Sequence, residues 1–330
     1  MESLKFFIYS FIFILLVIAL IWFINLSPRS SSMLHIFYYT WYGNPKVDGD
    51  FYYWNHNIIN EIDSGFLYDG SSEISSSFYP CLEPYSSIDK DIIGTHFKKI
   101  KDAGIDVVSL SFSSSNFLQE KYLLYILKIA FRNNLKINFN IKLGSEKIDD
   151  FYNIIKYLDA KVGNHQTLFK FNDKPLYYIN NTSSISIENW KRLLKESGDL
   201  SIRNSRYDAN FISDLYKVVD TTRIDEAGFD GAYTYLVSKS YLNNFFNNDW
   251  IVLSNWAKRK KKFFIPSVGP GFNDTKIRPW NNFSINLRDN GKFYDKMFSR
   301  AINAKTEFIS INSFNQWISG TQIEPAKPYR

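Results

Sequence analysis

From Leu34 to Phe314 the chain alternates short apolar, β-rich runs with stretches whose apolar residues recur three to four apart. The strand candidates are Leu34–Thr40, Asp106–Phe112, Lys136–Lys142, Leu176–Asn180, Phe211–Leu215, Phe229–Tyr235, Phe263–Val268 and Phe308–Phe314. Helical patterns fall between them over Asp91–Ala103, Glu120–Asn133, Asp149–Lys161, Ile187–Glu196, Asp249–Lys261 and Lys292–Ala304. Strand and helix repeated about eight times predict an α/β chain folded as a (β/α)8 TIM barrel. A doubly wound open sheet is the rival. It would ordinarily carry a Gly-rich turn after the first strand, whereas Leu34–Tyr42 runs into Gly43-Asn-Pro45 without phosphate-cradle spacing.

The N-terminus makes a separate prediction. Phe6 to Ile24 is uncharged and flanked by Lys5 and Arg29. In a helix, at about 1.5 Å per residue, such a run spans the hydrocarbon core of a bilayer. A cleaved signal peptide normally has a shorter apolar region, about 7–15 residues, and no small-x-small cleavage site follows here. The expected organisation is a short cytoplasmic tail (1–5), a transmembrane signal-anchor (6–24), a short stem (25–32) and the barrel (33–330). Acceptor sequons at Asn180, Asn181, Asn273 and Asn282 suit a lumenal barrel. The chain stops at Arg330, so the helix after the last strand is expected to be missing.

Composition narrows the partners. The net charge of +6 is scattered except at Lys258-Arg-Lys-Lys-Lys262, which precedes a strand and is expected to end a solvated helix. With no aromatic-interleaved basic stripe, nucleic acid is not an expected partner. Cys81 is the single cysteine, so no intramolecular disulfide or thiolate metal cluster can form, and no cofactor is expected. Aromatics are abundant, with 22 Tyr and 8 Trp. Their rings pair an apolar face with a hydrogen-bonding tip, which suits sugars.

In a barrel, ligands meet the C-terminal ends of the strands. Those ends read Tyr39-Thr-Trp-Tyr42, Phe112-Ser-Ser114, Lys142, Asn180-Asn181, Tyr233-Thr-Tyr235, Ser267-Val-Gly269 and Asn315-Gln-Trp317. The rim is aromatic, amide and hydroxyl, with almost no acid. It can stack on pyranose faces and exchange hydrogen bonds with their hydroxyls.

Ile36-Phe-Tyr-Tyr-Thr-Trp-Tyr-Gly-Asn-Pro45, Trp54-Asn-His56, Ser76-Ser-Phe-Tyr-Pro80, Gly228-Phe-Asp-Gly-Ala-Tyr-Thr-Tyr235, Ile265-Pro-Ser-Val-Gly-Pro-Gly271 and Ile277-Arg-Pro-Trp-Asn281 carry a resemblance. They resemble the glycoprotein endo-α-1,2-mannosidase family, glycoside hydrolase family 99. The resemblance implies a (β/α)8 barrel, a single-pass type II Golgi membrane anchor, and glucosylated high-mannose N-glycan as substrate. It also implies cleavage of an internal α-1,2-mannosidic bond, with retention, through attack of the sugar's own 2-hydroxyl on C1. Matching positions make Tyr39, Trp41, Tyr42, Trp54, His56, Tyr233, Tyr235, Arg278, Trp280, Asn315, Gln316 and Trp317 the expected glycan-binding set. His56 has no partner at metal-ligand spacing, so no metal is expected, and Arg278 is expected to brace its loop.

The family chemistry needs a base and an acid in the pattern Phe-Asn-Glu-Trp-x-Glu-Gly-Thr. This chain reads Phe314-Asn-Gln-Trp-Ile-Ser-Gly-Thr321, which puts Gln316 at the base position and Ser319 at the acid position. A carboxamide takes up no proton near neutral pH and a serine hydroxyl is a negligible acid. Each such group is worth about 10²–10⁴ in rate. Asn140 and Lys142 likewise stand where the resemblance expects an imidazole and an acid. Glu324 and Asp230 are the residual acids, Asp230 at the start of its strand. The expectation is a membrane-anchored, glycan-binding protein with impaired turnover. A working endo-α-1,2-mannosidase, or a decayed product with no ligand, are the alternatives.

Overall fold

The computed structural model describes residues 32–55, 74–113, 117–235, 237–243 and 248–327. The expected anchor at 6–24, the stem up to residue 31, and His56 lie outside them. Among the described residues no helix is long and apolar enough to cross a membrane.

Eight parallel strand segments follow one another around a barrel, separated by helices. In chain order they are β1 (Met33–Tyr38), α1 (Lys90–Asp102), β2 (Val107–Phe112), α2 (Phe117–Arg132), β3 (Lys136–Lys142) and α3 (Ile148–Val162). Next come β4 (Lys174–Asn180), α4 (Ile187–Leu194), β5 (Asn210–Leu215), α5 (Asp220–Ala227), β6 (Gly231–Thr234) and α6 (Asp249–Lys260). The last are β7, in two pieces (Phe263–Ile265 and Ser267–Val268), α7 (Lys292–Asn303) and β8 (Phe308–Ile311). Neighbours pair in sequence from β1 to β6, and β8 pairs back onto β1.

β7 was expected as one strand from Phe263 to Val268, and Pro266 divides it. Proline has no N–H to give a ladder. The piece before Pro266 pairs with β6 and the piece after it pairs with β8, so the interrupted strand joins the two edges of the sheet. Ser267 N–H is satisfied by the Thr234 hydroxyl at 2.8 Å. β8 ends at Ile311 rather than Phe314, where the chain turns into the loop that holds Gln316. Helix α5 was not expected. Only Ile224 and Ala227 of its eight residues are buried, too few to set a period. The lysine-rich run does end a helix, with Lys261 as the C-cap of α6 in the left-handed region.

Alternation along the strands divides two apolar regions. Inward residues Phe37, Val107, Leu176, Tyr178, Ile212, Tyr233, Ile265 and Phe308 fill the barrel. Outward residues such as Val108, Leu110, Ile137, Phe139, Ile141 and Phe211 meet the helices. Phe169 and Phe171 close the bottom against Phe308, on a short antiparallel pairing of Lys170–Phe171 with Lys174–Pro175. Phe112 was read as part of the mouth. It faces outward instead and stacks on Tyr157, because Val107 fixes the inward parity at Ser109 and Ser111.

Candidate functional site

The mouth is organised by the segment after β8. Asn315 is fully buried and clamps the end of β1: its Oδ1 accepts from Tyr39 N–H and its Nδ2 donates to Tyr39 O, both at 2.8 Å. Phe314 N–H donates to Phe37 O, and Ser313 and Thr321 bond across the loop through backbone and hydroxyls. Trp317 is buried and donates from its backbone to Tyr42 Oη at 3.0 Å, and Ser76 donates to its carbonyl. This ledge fixes Gln316 and Ser319, both half-buried, at the rim. Tyr42 Oη reaches Gln316 Oε1 at 3.4 Å, and Ser319 O accepts from Asn273 N–H.

Glu324, the acid nearest these positions in sequence, is buried beneath the ledge. Its Oε1 meets His96 Nε2 at 3.0 Å, and its Oε2 accepts from Tyr85 Oη at 2.7 Å and Trp317 Nε1 at 2.9 Å. His96 Nδ1 continues to Tyr38 Oη at 2.9 Å. Both oxygens are thus engaged by groups that hold the ledge, and burial, reinforced by the Glu324 charge, pushes the Tyr85 hydroxyl well up. Asp230 lies at the opposite end of the barrel, as its place before β6 implied. It accepts from Phe211 N–H and pairs with Arg203.

One carboxylate escaped the sequence reading. Asp214 lies on β5 opposite Tyr233 and shares the inward parity of Ile212, a placement that the period of two along Phe211–Leu215 could have revealed. It is fully buried. Its Oδ2 accepts from Asn181 N–H at 2.7 Å, and its Oδ1 from Thr182 N–H at 3.1 Å and the Thr182 hydroxyl at 2.5 Å. Burial raises its pKa against the pull of those donors. Asp214 therefore ties the loop after β4 to the barrel.

The expected binding residues divide by exposure. Tyr42, Trp54, Tyr233, Asn315 and Trp317 are buried. Trp54 stacks on Tyr42 at 4.2 Å and donates to Tyr85 O, while Tyr233 packs against Phe37 and Tyr178. Tyr39 is also buried and shares a hydrogen bond with half-buried Tyr235, Oη to Oη at 3.0 Å. Trp41 is half-buried, packed on Tyr39 with centroids 4.6 Å apart, and stacks on exposed Tyr53 with centroids 4.8 Å apart and planes 9° apart. Trp280 is 68% exposed, on the 3₁₀ stretch Pro279–Ser284, which is kinked at Asn281. Arg278 Nη1 donates to Asp274 Oδ2 at 2.9 Å, a contact within its own loop. Among the described residues no group of His, Cys, Asp or Glu could hold a metal.

Residues 30–330 match the family model Glycosyl hydrolase family 99. The chain belongs to this family. It is 37% identical over 322 residues to the glycoprotein endo-alpha-1,2-mannosidase of Rattus norvegicus, covering 92% of this chain and 70% of the relative. It is 35% identical to the human glycoprotein endo-alpha-1,2-mannosidase-like protein, with 92% and 70% covered. Among solved structures, the GH99 endo-alpha-mannosidase from Bacteroides thetaiotaomicron superposes with a TM-score of 0.81 at 34% identity, covering 90% of this chain and 88% of that one. The fold expectation of a (β/α)8 barrel and the family expectation both stand.

Proposed function

We propose that this family member binds mannose-containing N-glycan at the barrel mouth while hydrolysing it poorly or not at all, and that it works as a Golgi protein held to the membrane by residues 6–24. One observation carries the impaired reading. The two positions that the family pattern assigns to base and acid hold Gln316 and Ser319, while Asp214 and Glu324 have every carboxylate oxygen engaged by protein donors. Binding can outlast turnover because a carboxamide still exchanges hydrogen bonds with a sugar hydroxyl. The exposed Tyr53 ring, stacked on Trp41, and the Tyr235 hydroxyl offer ring and polar contacts, whereas Trp54, Trp317, Tyr42 and Asn315 serve by fixing the ledge.

The relatives named as endo-α-1,2-mannosidases favour a working enzyme as the second reading. The experiment incubates the full chain with a glucosylated high-mannose oligosaccharide, following glucosyl-mannose release and binding heat together. Binding heat without release is the expected result. Release at the rate of an active relative would overturn the impaired reading, and the absence of both would overturn glycan binding.

A further inference from the structure

We propose that the mouth selects a sugar bearing an anionic exocyclic group, phosphate or carboxylate, with Lys142 as its counter-charge and Asn140 as the acceptor for a hydroxyl of the same sugar. This rests on the reading of the mouth as a glycan site and names which glycan it prefers. Ile137, Phe139 and Ile141 of β3 face the helices, so Asn138, Asn140 and Lys142 share the inward parity. Asn140 is 2% exposed, and its Oδ1 has no hydrogen-bond partner among the described residues. A buried amide oxygen without a donor is costly, and a hydroxyl entering the mouth removes that cost.

Lys142 stands two residues further up the same face, in register with Asn180, and is exposed at the rim. Two strand residues are about 6.6 Å apart, comparable to the span from a ring hydroxyl to a charged group on the exocyclic carbon of one hexose. Among the described residues, the two carboxylates near the mouth are both engaged elsewhere. Asp214 is fully buried with its oxygens on Asn181 and Thr182, and Glu324 is turned into the His96–Tyr85–Trp317 network. Among the described residues no carboxylate pairs with Lys142. An uncharged sugar would use Asn140 alone and leave this cation idle.

The test compares three ligands on the full chain by calorimetry at low salt: α-1,2-mannobiose, the same disaccharide with a 6-phosphate on its non-reducing ring, and its 6-uronate. One or both charged forms should bind roughly ten-fold more tightly than the neutral one, the worth of one charge-assisted contact at a rim. Lys142→Glu should invert that order. Equal binding of all three, or an order unchanged in Lys142→Glu, would overturn the selectivity while leaving the glycan reading intact. If none of the three binds, the glycan reading itself falls, and the selectivity with it.

Discussion

At the scale of single residues, the mouth separates aromatics that touch each other from those that offer a surface. The sequence placed both kinds at strand ends, because a Tyr or Trp that stacks on a neighbour and one that stacks on a ligand have the same composition signature. What divides them is the ledge after β8, whose long-range bonds from Asn315 to Tyr39 and from Trp317 to Tyr42 no local pattern encodes. Glu324→Gln should therefore act on stability. Replacing a buried charge that accepts from Tyr85 and Trp317 should cost about 2–3 kcal/mol, read as a lower urea midpoint at unchanged slope. Unchanged stability would show the network to be dispensable. Gln316→Glu with Ser319→Glu tests the complementary point, since the two positions sit half-buried on an already rigid loop. Release of glucosyl-mannose should rise by roughly 10²-fold or more if these side chains alone limit turnover. No gain would shift the deficit to other strand ends, with Asn140 and Lys142 first among them.

At the scale of elements, the strands were legible because their apolar runs are bounded and their parity is consistent. The misses have separate physical causes. Pro266 interrupts β7 and turns the interruption into the joint between β6 and β8, a role that depends on closure and not on local propensity. Helix α5 has little apolar face, and its end is fixed by Gly228 at φ 92°, with Gly228 N–H bonded to Ile224 O. There the backbone needs a glycine twice over. The conformation disfavours any Cβ, and an added one would lie 2.8 Å from Leu194 O of helix α4. Gly228→Ala should cost about 2 kcal/mol or more, combining the left-handed penalty with that close approach, and should lower the thermal midpoint. Ser186→Ala makes a milder comparison, because it removes only the N-cap bond to Asn189 N–H, worth about 1 kcal/mol. If the two variants lost equal stability, α4 and α5 would not be packed as described.

For the whole molecule, the barrel interior couples stability to pH through His35. The ring lies on the inward face of β1 among Phe169, Tyr178 and Phe308, with Nδ1 bonded to Tyr178 Oη at 2.7 Å and Nε2 without a hydrogen-bond partner among the described residues. Burial lowers its pKa from 6.5 to about 3, because the buried site strips the imidazolium of its solvation. The unfolded chain therefore binds a proton that the folded chain refuses between those two values. Stability from this group is complete above about pH 6.5 and falls as the pH drops toward 3, by up to about 5 kcal/mol if no other part of the fold yields first. Asp214 has the opposite sign: its raised pKa makes the folded state take up a proton before the unfolded state does, which offsets part of the loss in acid. Comparing the wild type with His35→Asn cancels the carboxylates common to both. Asparagine keeps a hydrogen-bonding atom for Tyr178 but does not titrate, so the variant should start less stable at pH 8 and lose less on acidification to pH 4. Urea unfolding at successive pH values reads that difference directly, and parallel curves for the two proteins would show that His35 gains its proton within the folded barrel without cost.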